Sequence, residues 1–217
     1  MKFLLIVAVT AGHLFMLPVA SPASDDGSTL ATQALEACKQ GRLATDRAMR
    51  LAYFQQGQTL GERAVAADEG NAETHFALFC NLGELLRIDG ESLTSIFGLR
   101  RMMHELDRAL EINPAHINAL SAKGTLLVKL PGFLGGDSEK GGQLLQQVVR
   151  QAPKAVNARL ALARVWCQHG RHDEAAAMAS DALALARKDQ RVEFIPEAQA
   201  LLQQATASAT KVRHTRS

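Results

Sequence analysis

The sequence predicts an all-α chain, a solenoid of three to four helical hairpins with a C-terminal capping helix. Two observations predict it: the composition, and a regular recurrence of apolar and small residues along the chain. The 217 residues include one Trp and one Tyr, and Ala, Leu, Gln, Glu and Arg are abundant. Unbranched side chains lose little rotamer freedom in a helix. The length suits one domain.

The start of the chain has the pattern of a targeting segment. Met1 and Lys2 give a positive start, and Phe3 to Leu17 is mostly apolar. Ser21 to Ala23 then supplies a small-x-small cleavage pattern. The apolar run is shorter than the roughly 20 residues that span a bilayer. We therefore expect a signal peptide over 1–23 and a periplasmic or secreted location, with an uncleaved anchor as the alternative. A lipidation cysteine is absent near the cut.

The clearest repeat unit begins near Asn157. A first helix leads to a break at Gly170, and we expect Asp173 to cap the second helix. Leu162 and Trp166 fill the space between the two helices. Small residues allow the helices to approach closely, at Ala163, Ala175 and Ala182.

The same frame recurs upstream. Residues Leu82, Leu127 and Trp166 are 45 and 39 residues apart in the first helices. In the second helices, the spacing is 45, 39 and 34 residues for Ala64, Ala109, Val148 and Ala182. The surplus length falls in hairpin loops near 86–98 and 130–138. An earlier hairpin pairs 30–40 with a helix containing Gly57. The alternative is an ordinary α-bundle with chance periodicity.

The C-terminal part predicts one more helix over 196–208, begun by Pro196 at a favoured first position. Its apolar face would cover the last repeat, through Ile195, Ala198, Leu201 and Leu202. A cap of this kind keeps a solenoid soluble. The domain is thus expected over 24–208, and 209–217 is expected to be a disordered basic tail.

The loop from Leu130 is the most distinctive segment. Pro131 ends the preceding helix, and Asp137 is placed to cap the helix that begins at Ser138. Gly135 and Gly136 permit backbone angles that are closed to other residues. The apolar Phe133 and Leu134 are expected to fold back onto the protein. The loop, Phe133 to Asp137, is either a contact site or a packing device.

These residues carry a resemblance. The unit from Asn157 resembles the tetratricopeptide repeat. Three segments together, His75 to Gly83, Leu106 to Pro114, and Leu130-Pro131 with Gly135-Gly136-Asp137, resemble the periplasmic tetratricopeptide component associated with TRAP transporters, often called TatT. The resemblance spans roughly residues 45–187. It implies a solenoid that forms ring-like oligomers and passes a small hydrophobic ligand to a partner solute-binding protein.

Candidate binding residues follow from the repeat, because first helices line the concave face of such a solenoid. Equivalent positions, 39 residues apart, pair Asn118 with Asn157 and Thr125 with Arg164. The full set of expected concave-face contacts is Phe76, Cys80, Asn118, Ser121, Thr125, Asn157, Leu160 and Arg164. This mixed stripe suits an extended peptide or an amphipathic ligand. The alternative is that the asparagines only start their helices.

Other function classes have little support. A formal net charge of +2 lacks the basic excess of a nucleic-acid binder. The sequence contains no HExxH, no CxxC and no phosphate-binding loop, so we expect no catalytic site, no metal and no cofactor. The three cysteines are expected to be buried small hydrophobes, with a Cys38–Cys80 bridge as the alternative.

Two functions therefore stay open. The first is a ligand carrier, which predicts a closed apolar cavity lined by residues such as Phe76, Leu127 and Phe133. The second is an adaptor that assembles cell-envelope proteins without a small ligand, which predicts an open polar groove.

Overall fold

The computed structural model describes residues 26–89 and 95–216. The predicted signal peptide, 1–23, lies outside the described residues. Within them the chain forms nine α-helices and no strand. They are α1 Gly27–Leu43, α2 Arg47–Ala67, α3 Ala72–Asp89, α4 Ser95–Ile112, α5 Ile117–Lys129, α6 Ser138–Gln151, α7 Val156–Gln168, α8 His172–Lys188 and α9 Ile195–Arg216.

Successive helices pack in pairs, α1 with α2, α3 with α4, α5 with α6, and α7 with α8, and α9 packs on α8. The all-α hairpin solenoid predicted from the sequence is confirmed, with four hairpins and a last helix. The odd-numbered helices form one layer and the even-numbered helices the other. Neighbouring hairpins stack through α2 on α3 and α6 on α7.

Small residues set the close approach within each hairpin. A Cβ on Gly141 of α6 would lie 2.7 Å from the carbonyl oxygen of Gly124 on α5. A Cβ on Gly41 of α1 would meet the Phe54 ring of α2 at 2.3 Å. At both places the backbone of one helix fills the space of a missing side chain. Glycine is therefore required there for packing.

The core is continuous from hairpin to hairpin. Phe54 and Leu106 are completely buried in the core of the first two hairpins, and Leu145 is completely buried in the third. Leu110 contacts both of these clusters and joins them. Each hairpin thus buries its apolar face against the next, as a solenoid requires.

The predicted boundaries in the last repeat are correct at one end and wrong at the other. Gly170 follows α7 with φ of +73°, a conformation that favours glycine. Asp173, however, does not cap α8. The helix begins at His172, so Asp173 lies in the first turn, where its carboxylate pairs with Arg213.

Helix α9 is longer than predicted. Residues 209–216 continue the helix, so the expectation of a disordered tail from residue 209 is wrong for this stretch. The physical reason is that small residues recur every fourth position. Leu201, Ala205 and Ala209 are all buried, so the apolar face that begins at Ala198 continues along α8.

The loop after α5 is built around a 3₁₀ helix, Gly132–Leu134. Gly135 has φ of +88°, and the Asp137 N–H donates to the Leu127 carbonyl at 2.8 Å. Asp137 caps α6 as predicted, since its carboxylate accepts from the Lys140 N–H at 2.9 Å. Phe133 does not fold back: it is 87% exposed, because the 3₁₀ turn directs it outward, whereas Leu134 is half-buried.

Among the described residues, no helix combines the length and the apolarity that a membrane span requires.

Candidate functional site

The predicted concave-face residues divide into two groups by exposure. Asn118 and Asn157 are exposed, and Thr125 and Arg164 are half-buried. The other four are buried, which differs from an accessible stripe. These are Phe76, Cys80, Ser121 and Leu160.

The polar members are joined to one another. The Asn157 side-chain amide donates to the Ser121 hydroxyl at 3.1 Å, which links α7 to α5. Thr125 donates to the Ser121 carbonyl one turn back at 2.8 Å. These residues therefore hold adjacent repeats together, and only Asn118 and the outer face of Asn157 stay open to a partner.

The apolar members belong to the core. The Phe76 ring packs 5.8 Å from the Phe79 ring and 4.9 Å from the His116 ring, centroid to centroid. Leu160 is 1% exposed, in the cluster that includes Ala198 and Leu201 of α9. Side chains so enclosed stabilise the solenoid and cannot touch a ligand without rearrangement.

A different set of residues marks the concave layer. Arg42 on α1 donates to Glu84 on α3 at 2.7 Å, and Arg87 donates to the same carboxylate at 3.2 Å. Arg164 on α7 donates to Glu197 on α9 at 2.5 Å. Lys129 on α5 lies between these two groups. We call the set the charged stripe: Arg42, Glu84, Arg87, Lys129, Arg164 and Glu197.

Lys129 shows the electrostatics of the charged stripe. Burial of part of its side chain lowers the pKa of Lys129, and the charges of Arg164 and Arg87 lower it further, against the opposing effect of Glu197. Within the part of the chain that the structure describes, no carboxylate forms an ion pair with Lys129. The middle of the stripe therefore has an excess of positive charge.

The sequence held a signal for the charged stripe. Glu84 and Lys129 occupy equivalent positions, each two residues after the large apolar residue that defines the repeat, Leu82 or Leu127. Our sequence analysis instead followed the positions earlier in the helices. The first of those turns lie under neighbouring helices, whereas the last turns are where the charged side chains meet.

A second polar cluster is enclosed between α3 and α4. His75 Nδ1 lies 2.7 Å from a Glu105 carboxylate oxygen, and His75 Nε2 lies 2.9 Å from the Glu69 carbonyl oxygen. A carbonyl only accepts, so Nε2 carries a proton. His75 is 3% exposed and both ring nitrogens are engaged, so the pair anchors α3 to α4. No group of metal-ligating side chains occurs among the described residues.

The described surface has two shallow cavities of interest. One, of about 290 Å³, is lined by residues of α2, α3 and α4, including Leu51, Leu82 and Leu86. The other, of about 340 Å³, lies between α7 and α8 near Arg159. Phe76, Leu127 and Phe133 do not enclose a cavity together, because Phe133 points into solvent while Leu127 is buried.

Comparison with known proteins agrees with this architecture. A tetratricopeptide repeat family model matches residues 135–193, and no curated protein matches the chain. A thermophilic TPR protein of Thermus thermophilus superposes with a TM-score of 0.62 at 23% identity, covering 83% of this chain and 84% of that one. MamA from MSR-1 gives 0.51 at 18% identity, over 86% and 98% of the two chains. MamA from AMB-1 gives 0.50 at 19%, over 83% and 90%.

These likenesses show the fold, a tetratricopeptide-type solenoid. The link to TRAP transporters stays an expectation from the resemblance.

Proposed function

We propose that this chain is a non-enzymatic protein-interaction module that binds an extended, carboxylate-bearing segment of a partner along the charged stripe. The observation that carries the proposal is Lys129, which lies between Arg87 and Arg164 without a carboxylate partner of its own among the described residues. A carboxylate bound there would relieve the repulsion between the three cations. Charge-assisted hydrogen bonds to such an anion are about twice as strong as neutral ones.

The extent of the charged stripe favours a peptide. The stripe crosses α1, α3, α5, α7 and α9. Neighbouring helix axes lie about 8–10 Å apart, so five helices present a path of roughly 30–40 Å, which about ten residues of extended chain would cover. A small ligand would occupy only one part of it.

The small hydrophobic ligand implied by the TatT resemblance has less support. Its expected cavity needed Phe133, which is 87% exposed. A protein partner suits the charged stripe better, and a TRAP-type solute-binding protein is the partner that the resemblance implies. The proposal keeps the exported location, which rests on residues 1–23, so a partner would be an envelope or secreted protein.

A binding measurement tests the charged stripe. We would use a fluorescent peptide of about ten residues, rich in Asp and Glu with a free C-terminus, and its Asn/Gln counterpart with an amidated C-terminus. Fluorescence anisotropy should show tight binding of the acidic peptide only. Lys129→Gln should weaken binding about tenfold, the loss of one charged hydrogen bond.

The matched control is Lys140→Gln on α6, an exposed lysine outside the charged stripe, which should leave the affinity unchanged. Equal binding of the two peptides, or equal effects of the two lysine changes, would refute the proposal. A stoichiometric lipid-like mass retained in native mass spectrometry of the purified protein would instead favour the ligand carrier. Protein sequencing of the exported product should begin at Ser24.

A further inference from the structure

Two thiols meet where the first hairpin packs on the second. Cys38 on α1 is 2% exposed and Cys80 on α3 is 8% exposed. Their side chains are in hydrogen-bond contact, within one core cluster that also contains Phe54 and Phe76.

The helix positions around the two thiols are fixed by hydrogen bonds on both sides. One turn before Cys38, the Ala34 carbonyl accepts from the Asn81 side-chain amide at 2.9 Å. One turn after it, Arg42 donates to Glu84 at 2.7 Å. Cys80 lies next to Asn81 and one turn before Glu84. The backbones that carry the two sulfurs are therefore held in register by contacts that do not involve sulfur.

We propose that Cys38 and Cys80 form an intramolecular disulfide that joins α1 to α3. The sulfurs must close from van der Waals contact to about 2.05 Å, which small side-chain rotations and a slight helix shift can provide. The oxidant is a disulfide compound such as oxidised glutathione. The two thiols give up two protons and two electrons, one S–S bond forms between them, and the oxidant's S–S bond is reduced to two thiols.

The surroundings give the exchange an order. The hydrogen bond from Cys80 lowers the pKa of the Cys38 thiol, and the Arg42 charge also lowers it. The same hydrogen bond, together with burial, raises the pKa of Cys80. Cys38 is thus the thiol that attacks the oxidant and forms the mixed disulfide. Cys80 then attacks the Cys38 sulfur and releases the second thiol.

Burial determines when the exchange occurs. In the folded chain neither sulfur is accessible, so the mixed disulfide forms before α1 docks on α3, and docking then brings Cys80 to it. Once closed, the bond is shielded from reductants. The bridge would close the loop from residue 38 to residue 80 and hold the first hairpin against the second.

The experiment is non-reducing peptide mapping. The full chain, reduced and denatured, is refolded in a glutathione redox buffer, blocked with iodoacetamide and digested with trypsin. We expect the peptide that ends at Lys39 to be linked to the peptide 64–87, with a mass about 2 Da below their sum. The third thiol, Cys167, should be alkylated.

Thermal unfolding with and without dithiothreitol supplies a readout that is independent of folding damage. The bridge should raise Tm by about 10 °C, from loop-closure entropy in the unfolded chain. Cys167→Ser is the matched control and should keep this difference, whereas Cys38→Ser and Cys80→Ser should abolish it. Unlinked Cys38 and Cys80 in the folded, oxidised protein, or a link to Cys167, would overturn the proposal.

Discussion

The side chain of Asn81 on α3 occupies the space that a Cβ on Gly57 of α2 would take, with only 2.0 Å between that position and the Asn81 amide oxygen. Asn81 is completely buried. Its amide nitrogen donates to the Ala34 carbonyl at 2.9 Å and to the Ala77 carbonyl at 3.0 Å. The amide thus holds three helices at one point, and the glycine makes room for it.

Gly57→Ala should destabilise the protein. The new methyl group meets a side chain that two hydrogen bonds hold in place, and overpacking of this kind costs about 1–3 kcal/mol. That exceeds the gain of about 1 kcal/mol from replacing glycine inside a helix. Urea unfolding followed by circular dichroism measures the change.

Gly83→Ala is the matched control for this prediction. Its Cβ would lie 3.2 Å from the flexible Met102 sulfur, so stability should stay the same or rise slightly. Equal losses in the two variants would show that Asn81 is not the cause.

Gly136→Ala should destabilise the loop after α5. A Cβ at Gly136 would lie 1.7 Å from the backbone oxygen of Leu130, which no rotamer change relieves, and we expect a loss of at least about 2 kcal/mol. Gly132→Ala, where no atom lies within 4 Å of the new Cβ, should change little. Differential scanning calorimetry of the two variants distinguishes a loop that needs this glycine from one that does not.

Asp137→Ala should remove about 1 kcal/mol of stability, since its carboxylate accepts from the Lys140 N–H at the start of α6. Asp26 occupies the equivalent N-cap position of α1 but makes no side-chain cap bond. Asp26→Ala should therefore have a smaller effect on the free energy of unfolding. If the two losses were equal, the hydrogen bond would not be the source of the stabilisation.

Glu105→Ala should be among the most damaging changes in the chain. It leaves buried His75 without its partner at 2.7 Å, and removing one member of a buried pair costs about 3–5 kcal/mol. Glu105→Gln keeps an acceptor oxygen and should cost less. The exposed Glu111, paired with Arg108, offers a control: Glu111→Ala should lie within about 0.5 kcal/mol of the parent. Chemical denaturation provides the ranking.

The sequence predicted those features that depend on spacing within one repeat. The recurrence of Leu82, Leu127 and Trp166 identified the hairpins, and Gly170 and Asp137 marked helix ends by local backbone chemistry that the structure confirms. Such features need only the residue and its nearest neighbours along the chain.

Features that depend on how helices from different repeats meet were missed. The pairing of Arg164 with Glu197 joins α7 to α9, and no repeat period fixes that contact. The burial of Leu160 has the same origin, because α9 covers it. Phe133 was misjudged for a local reason: its apolarity suggested contact, whereas the 3₁₀ turn directs it outward.

The 3₁₀ loop has a practical consequence. Its base is tied to α5 by the Asp137 to Leu127 hydrogen bond, while its tip at Gly132 and Phe133 is exposed. Exposed backbone beyond such a tie tolerates added residues. A short epitope or a fluorophore-labelling sequence inserted between Gly132 and Phe133 should leave both flanking helices folded, which offers a handle for following the protein in cells without modifying either terminus.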